Sequence, residues 1–164
     1  MSTRKLTTLG LFTALSLAIF LLESLLPPLL PLPGIKLGLA NIVTLILLRR
    51  SSLRDTFLVV LARILLSSFF YSQAISLLYS LLGGLLSLLI MYLLNRLLKA
   101  HFLYLTSIFG GISHNLGQIT AACLSTSSLF PLSYLPFLLL SGILTGLFTG
   151  LCAHFALKYI PHSS

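Results

Sequence analysis

Six long apolar runs, joined by short segments that hold most of the cations, constrain this sequence more than any other feature. The runs cover residues 6–26, 35–48, 53–71, 75–94, 102–123 and 132–159. A helix needs about 20 apolar residues to cross the hydrocarbon core of a bilayer, and only the second run is clearly shorter. The runs predict an all-α, polytopic membrane protein, with one membrane-embedded domain over residues 1–164 built as a six-helix transmembrane bundle.

The composition indicates that lipid, and not water, surrounds most of the outer surface of this protein. Apolar residues make up 57% of the chain and charged residues 7%, whereas a soluble domain carries roughly a quarter charged residues. The net charge of +8 does not indicate nucleic-acid binding. The cations lie singly or in small groups between apolar runs, and they form no basic stripe on a polar face.

The cations fall in alternate segments between the runs. They stand before the first run, between the second and third, between the fourth and fifth, and at the end of the sixth: Arg4, Lys5, Arg49, Arg50, Arg54, Arg96, Lys99 and Lys158. The intervening segments contain only Lys36. By the positive-inside rule, this alternation predicts cytoplasmic termini and a membrane crossed several times.

Seven polar or ionisable side chains lie within the predicted spans or near their ends, where lipid makes them costly. Under the predicted topology, all of them fall between the membrane midplane and the outer surface. They are Glu23, Lys36, Asn41, Arg63, His114, Asn115 and Gln118. This one-sided distribution predicts a substrate-binding pocket that opens to the outside.

Helical spacing brings some of these groups together. His114 and Gln118 are four residues apart and Asn115 and Gln118 are three apart, so each pair shares a helix face. Arg63 can hold a carboxylate or a phosphate with a bidentate fork. We therefore expect a small anionic or zwitterionic ligand, with the proline-rich segment 27–33 as a lid.

The same residues also fit a purely structural role. Glu23 could pair with Lys36 or Arg63, and the amides and the histidine could join helices. Ala14 and Ala18, four residues apart in the first run, are likewise open to two interpretations. Small residues at this spacing let helices approach closely, either inside the bundle or against a partner helix.

The sequence shows no catalytic or metal-binding constellation. Its two acidic residues, Glu23 and Asp55, lie far apart and provide no pair of carboxylates for Mg²⁺ on a diphosphate. There is no glycine-rich phosphate loop ending in Lys-Ser or Lys-Thr, and Cys123 and Cys152 lack metal-ligand spacing. We expect no cofactor, no metal and no catalytic residue in this chain.

Four stretches together resemble one bacterial family. They are residues 33–41 (PGIKLGLAN), 80–87 (SLLGGLLS), 113–118 (SHNLGQ) and 140–146 (LSGILTG). The resemblance is to the Gx transporter family, which also goes under the name heptaprenyl diphosphate synthase component I. It implies a location in the bacterial inner (cytoplasmic) membrane. It also implies a relationship to the substrate-specific S components of energy-coupling factor transporters, six-helix membrane proteins that capture vitamins or related micronutrients.

This resemblance implies both partners and a function. S components work with a transmembrane coupling subunit and cytoplasmic ATPases, and their first helix carries an Ala-xxx-Ala docking motif that Ala14 and Ala18 match. The leading hypothesis is an uptake subunit for a small micronutrient-like or anionic metabolite. The alternative is a membrane accessory subunit of heptaprenyl diphosphate synthase, in isoprenoid and quinone side-chain synthesis.

Overall fold

The computed structural model describes residues 2–25, 36–70, 74–98 and 102–159, and every regular element in these ranges is helical. The elements are α1 (Thr3–Ser24), α2 (Asn41–Arg50), α3 (Leu53–Phe70), α4 (Ala74–Leu97), α5 (Leu103–Thr126), a 3₁₀ helix (Phe130–Tyr134) and α6 (Leu135–Tyr159). The all-α prediction is confirmed for this part of the chain. The proposed lid at residues 27–33 lies outside the described residues.

Within the described ranges, length and composition allow three helices to cross a membrane: Thr3–Ser24, Ile75–Leu97 and Phe130–Tyr159. The ten residues of α2 reach about 15 Å, half of the roughly 30 Å hydrocarbon core. α3 includes Arg54, Asp55 and Arg63, and α5 carries a run of buried polar side chains. Six full crossings and the orientation of the termini remain predictions.

α5 lies between α4 and α6, and glycines set its distance from both. Gly111 of α5 meets the backbone of Gly142 in α6, and Gly117 meets the Leu82 carbonyl of α4, so closely that neither glycine leaves room for a Cβ atom. Beside these contacts, the Ser107 and Thr149 hydroxyls are hydrogen-bonded at 2.8 Å. Gly142, Gly146 and Gly150 of α6 all face α5, so the small residues of the last helix pack inside the chain.

α2 is the most enclosed helix, because the five other α-helices all contact it. Leu45 and Leu47 are fully buried there. α1 packs mainly on α3 and α2 and leaves Leu11 and Leu15 exposed. Ala14 and Ala18 are exposed on the same helix.

Most of the cations lie at one end of the bundle. Three polar contacts join helix ends there: Lys5 Nζ to Asp55 Oδ1 at 2.8 Å, Arg50 Nη2 to the Leu157 carbonyl at 2.6 Å, and Asn95 Nδ2 to the Leu48 carbonyl at 3.0 Å. The start of α1, the α2–α3 connection and the ends of α4 and α6 therefore lie at one end of the bundle.

Candidate ligand-binding site

Glu23 ties the end of α1 to the segment that precedes α2. Its carboxylate accepts the backbone N–H of Gly38 at 2.8 Å and that of Leu39 at 2.9 Å, and its side chain is only 6% exposed. Gly38 has φ +81°, a left-handed conformation that glycine adopts without steric cost. The Gly38 carbonyl then accepts the N–H of Asn41 at 3.0 Å, where α2 begins.

A chain of amide and imidazole hydrogen bonds joins this segment to α5. The Lys36 N–H donates to Gln118 Oε1 at 3.1 Å, and Gln118 Nε2 lies 2.9 Å from His114 Nε2. Since the Gln118 oxygen accepts, its NH₂ group donates to His114 Nε2. The imidazole is therefore neutral with its proton on Nδ1, and Nδ1 is buried beside Gly83 without a hydrogen-bond acceptor among the described residues.

Two glycines make room for the His114 ring. A Cβ at Gly38 would lie 2.8 Å from His114 Cδ2, and a Cβ at Gly83 would lie 3.0 Å from Cε1. The ring is thus held between the α2 entry and α4, and any larger residue at either position would displace it.

Two cations share the ring of Phe20. Lys36 Nζ lies 3.3 Å and Arg63 Cζ 5.8 Å from the centroid of this ring, within the range of cation–π attraction. Arg63 is only 4% exposed, and its Nη2 would be 3.2 Å from a Cβ at Gly84. Glu23 attracts Arg63 electrostatically from beyond ion-pair distance.

Arg63 makes no hydrogen bond within the part of the chain that the structure describes. The only carboxylate near it, that of Glu23, is already engaged by Gly38 and Leu39. Arg63 is therefore a largely buried cation with five donors and no acceptor among the described residues, and its nitrogen atoms keep some accessible surface.

The structure brings six of the seven predicted residues together: Glu23, Lys36, Asn41, Arg63, His114 and Gln118. Asn41 belongs to the set through its Nδ2 atom, which would lie 3.1 Å from a Cβ at Gly38. Asn115 points elsewhere, because its Nδ2 donates to the Leu138 carbonyl of α6 at 2.6 Å. It joins two helices and does not line the cluster.

Phe20 and the backbone of Gly38 and Leu39 are members of the site that sequence reasoning missed. A phenylalanine in an apolar run has the pattern of a lipid-facing residue. Its one signal is the spacing of three residues to Glu23, which places both on one helix face. Backbone donors carry no sequence signal, apart from the glycine that permits the turn.

The comparisons with known proteins give one match. The model of the family described as heptaprenyl diphosphate synthase component I matches residues 12–156. This chain belongs to that family. No curated protein and no solved structure matches the chain. The range shared with the component I family contains all seven predicted site residues, together with Ala14 and Ala18.

The component I description names one part of a synthase, which implies a partner subunit. Within the described residues, no three His, Cys, Asp or Glu side chains come together as metal ligands. Both acidic side chains of the sequence are engaged, Glu23 by backbone N–H groups and Asp55 by Lys5. Neither is placed to share a Mg²⁺ ion on a diphosphate.

Proposed function

We propose that this chain is a non-catalytic, ligand-binding membrane subunit that serves as component I of a heptaprenyl diphosphate synthase. The family match supports the assignment to that system. The observation that supports ligand binding is Arg63, which is 4% exposed and has no hydrogen-bond acceptor among the described residues.

The charges of the cluster favour an anionic ligand. Removing a guanidinium from water costs several kcal/mol unless an anion and hydrogen bonds compensate. Glu23 supplies one negative charge against the two of Lys36 and Arg63, and backbone N–H groups occupy its oxygens. A ligand carboxylate or phosphate would supply the missing anion and accept two parallel hydrogen bonds from Arg63.

The small number of acidic residues indicates which subunit would catalyse the reaction. Chain elongation on a prenyl diphosphate requires carboxylates that hold metal ions, and this sequence has only Glu23 and Asp55. The catalytic carboxylates would therefore belong to the partner subunit. This chain would place its ligand, and the complex, in a membrane that its helices cross several times.

A second candidate is an uptake subunit like an energy-coupling factor S component, and one surface favours it. Ala14 and Ala18 are exposed on α1, as are the neighbouring Leu11 and Leu15, and a Cβ at Gly10 would meet nothing within 4 Å. Such a face fits a transmembrane coupling helix. The ATPases that energise transport would then bind that coupling subunit.

Arg63→Gln tests ligand binding, with Arg54→Gln as the matched control because Arg54 is an exposed arginine on the same helix. Metabolites retained by the purified protein are identified by mass spectrometry and added back in thermal-shift titrations. We expect Arg63→Gln to weaken binding about tenfold or more, since each charged hydrogen bond contributes about 1.5–3 kcal/mol.

The ligand-free protein provides a second signature. Removing a buried cation that lacks an acceptor relieves its desolvation cost, so ligand-free Arg63→Gln should unfold at the wild-type temperature or above it. A structural arginine would give the opposite result. If Arg63→Gln destabilises the ligand-free protein and leaves ligand affinity unchanged, the binding role is wrong.

The two candidate systems are separated by their partners. Component I should raise incorporation of isopentenyl diphosphate into longer prenyl chains when mixed with the catalytic subunit, and Arg63→Gln should reduce that stimulation. An uptake subunit should leave elongation unchanged and should accumulate its ligand in vesicles only with a coupling subunit and ATPases. Substituting Leu for Ala14 should block that accumulation and spare ligand binding.

A further inference from the structure

A second anion site is indicated at the cation-rich end of the bundle, far from the Glu23 cluster. Lys5 marks this end on α1, and Glu23 stands 18 residues further along the same helix, about 27 Å away at 1.5 Å per residue. The site is formed where α2 ends between α4 and α6, and it does not depend on the proposed function.

The second site is inferred from the side chain of Arg49. Its Nε and Nη2 atoms are buried and have no hydrogen-bond partner among the described residues. These two atoms form one edge of the guanidinium, and their N–H bonds point in parallel, as bidentate recognition of a carboxylate or phosphate requires. A cation at a helix C-terminus is stabilised by the helix dipole, but the dipole does not explain why both donors of this edge are shielded from water.

The neighbours of Arg49 hold it in place without satisfying it. Arg50 donates to the Leu157 carbonyl of α6 at 2.6 Å, and Asn95 of α4 donates to the Leu48 carbonyl at 3.0 Å. Both contacts flank Arg49 in sequence and fix the end of α2. Contacts among α2, α4 and α6 thus fix the position of the Nε and Nη2 atoms of Arg49.

The charge at this end favours an anion with more than one negative oxygen. Its cations include Arg49, Arg50, Arg96 and Lys158, while the one carboxylate that the sequence places there, Asp55, is paired with Lys5 at 2.8 Å. Beyond the cations, the last turns of α4 and α6 expose Leu97 and Tyr159. Apolar surface beside a cationic cluster suits an amphiphile that lies in the membrane.

We propose that Arg49 binds the phosphate head group of a membrane-embedded amphiphile, whose alkyl chain lies along the exposed ends of α4 and α6. Two sources share this chemistry, an anionic phospholipid and a prenyl diphosphate. In both cases two phosphate oxygens accept from Nε and Nη2, and Arg96 and Lys158 add longer-range attraction.

The test uses the full chain in a neutral detergent with four probes: phosphatidylglycerol, phosphatidylcholine, farnesyl diphosphate and inorganic phosphate. Affinity is read by native mass spectrometry and thermal-shift titration. Arg49→Lys keeps the charge and removes the fork, and we expect it to weaken the bound probe about tenfold by the loss of one charged hydrogen bond. Arg54→Lys, an exposed arginine at the same end, is the matched control and should bind like the wild type.

The probes also identify the source. Selective binding of phosphatidylglycerol supports a lipid head group, and selective binding of farnesyl diphosphate supports a prenyl diphosphate. The proposal is overturned if neither binds more tightly than phosphatidylcholine, if inorganic phosphate binds as tightly as the amphiphiles, or if Arg49→Lys and Arg54→Lys weaken binding equally. The wild-type comparison needs no variant, so it decides the matter even if Arg49→Lys fails to fold. Arg63→Gln should leave this binding intact, which separates the outcome from that of the proposed function.

Discussion

Replacing Glu23 by Gln tests the link between α1 and α2 directly. The carboxylate accepts the N–H of Gly38 with one oxygen and that of Leu39 with the other. Glutamine keeps one acceptor oxygen and puts an NH₂ group in place of the second, so one backbone donor is left without an acceptor. A buried donor in that state costs about 2 kcal/mol, which corresponds to a roughly 30-fold increase in the population of the open segment.

Hydrogen–deuterium exchange of the peptide covering residues 36–41 measures this opening, because amide exchange reports local opening free energies. We expect exchange at Gly38 and Leu39 to be about 30-fold faster in Glu23→Gln. Asp55→Asn makes the same chemical change at the other end of the bundle and should leave this peptide at the wild-type rate. Unchanged protection in Glu23→Gln, or an equal loss in Asp55→Asn, would refute the reasoning.

Two further substitutions follow from single contacts. Gly38→Ala should lower the thermal unfolding temperature, because φ is +81° and the new Cβ would lie 2.8 Å from the His114 ring. The left-handed conformation alone costs about 1–2 kcal/mol. Gly10→Ala lies inside α1 with nothing within 4 Å and should be neutral or stabilising by up to about 1 kcal/mol, so equal effects would contradict the assignment. Asp55→Asn removes the ion pair with Lys5 and should cost up to about 1 kcal/mol, since Lys5 is 46% exposed. That difference, measured by thermal unfolding, should shrink in 1 M salt, and a salt-independent loss would point to another cause.

The apolar runs predict the helices, but they do not predict where α2 begins. A run over 35–48 became the helix Asn41–Arg50, because Gly38 is left-handed and Glu23 holds the N–H groups of Gly38 and Leu39. Residues 36–40 are apolar enough for a helix. What prevents one is an acceptor on another helix, and no local pattern reveals it.

The sequence predicts most of the residues of the site, but not the hydrogen bonds between them. The predicted depth of Glu23, Arg63 and His114 in a membrane indicates that they meet inside the bundle, since lipid disfavours polar groups on its outer surface. Asn115 was grouped with them, but it follows His114 by one residue and so points about 100° away around the helix. Its partner is consequently α6. A pair between Glu23 and Lys36 or Arg63 was the structural alternative, and the hydrogen bonds of Glu23 go instead to backbone N–H groups.

That choice of partner has a consequence for how the protein tolerates mutation. Every amino acid except proline has a main-chain N–H group, so most substitutions at position 39 keep the donor that Glu23 binds. At position 38 the requirement is different, because the residue there must adopt the left-handed conformation of the turn. A salt bridge is lost when either side chain mutates, but this junction depends on one side chain only. Selection on the junction should therefore fall on Glu23, with glycine retained at position 38 and wide freedom of side chain beside it.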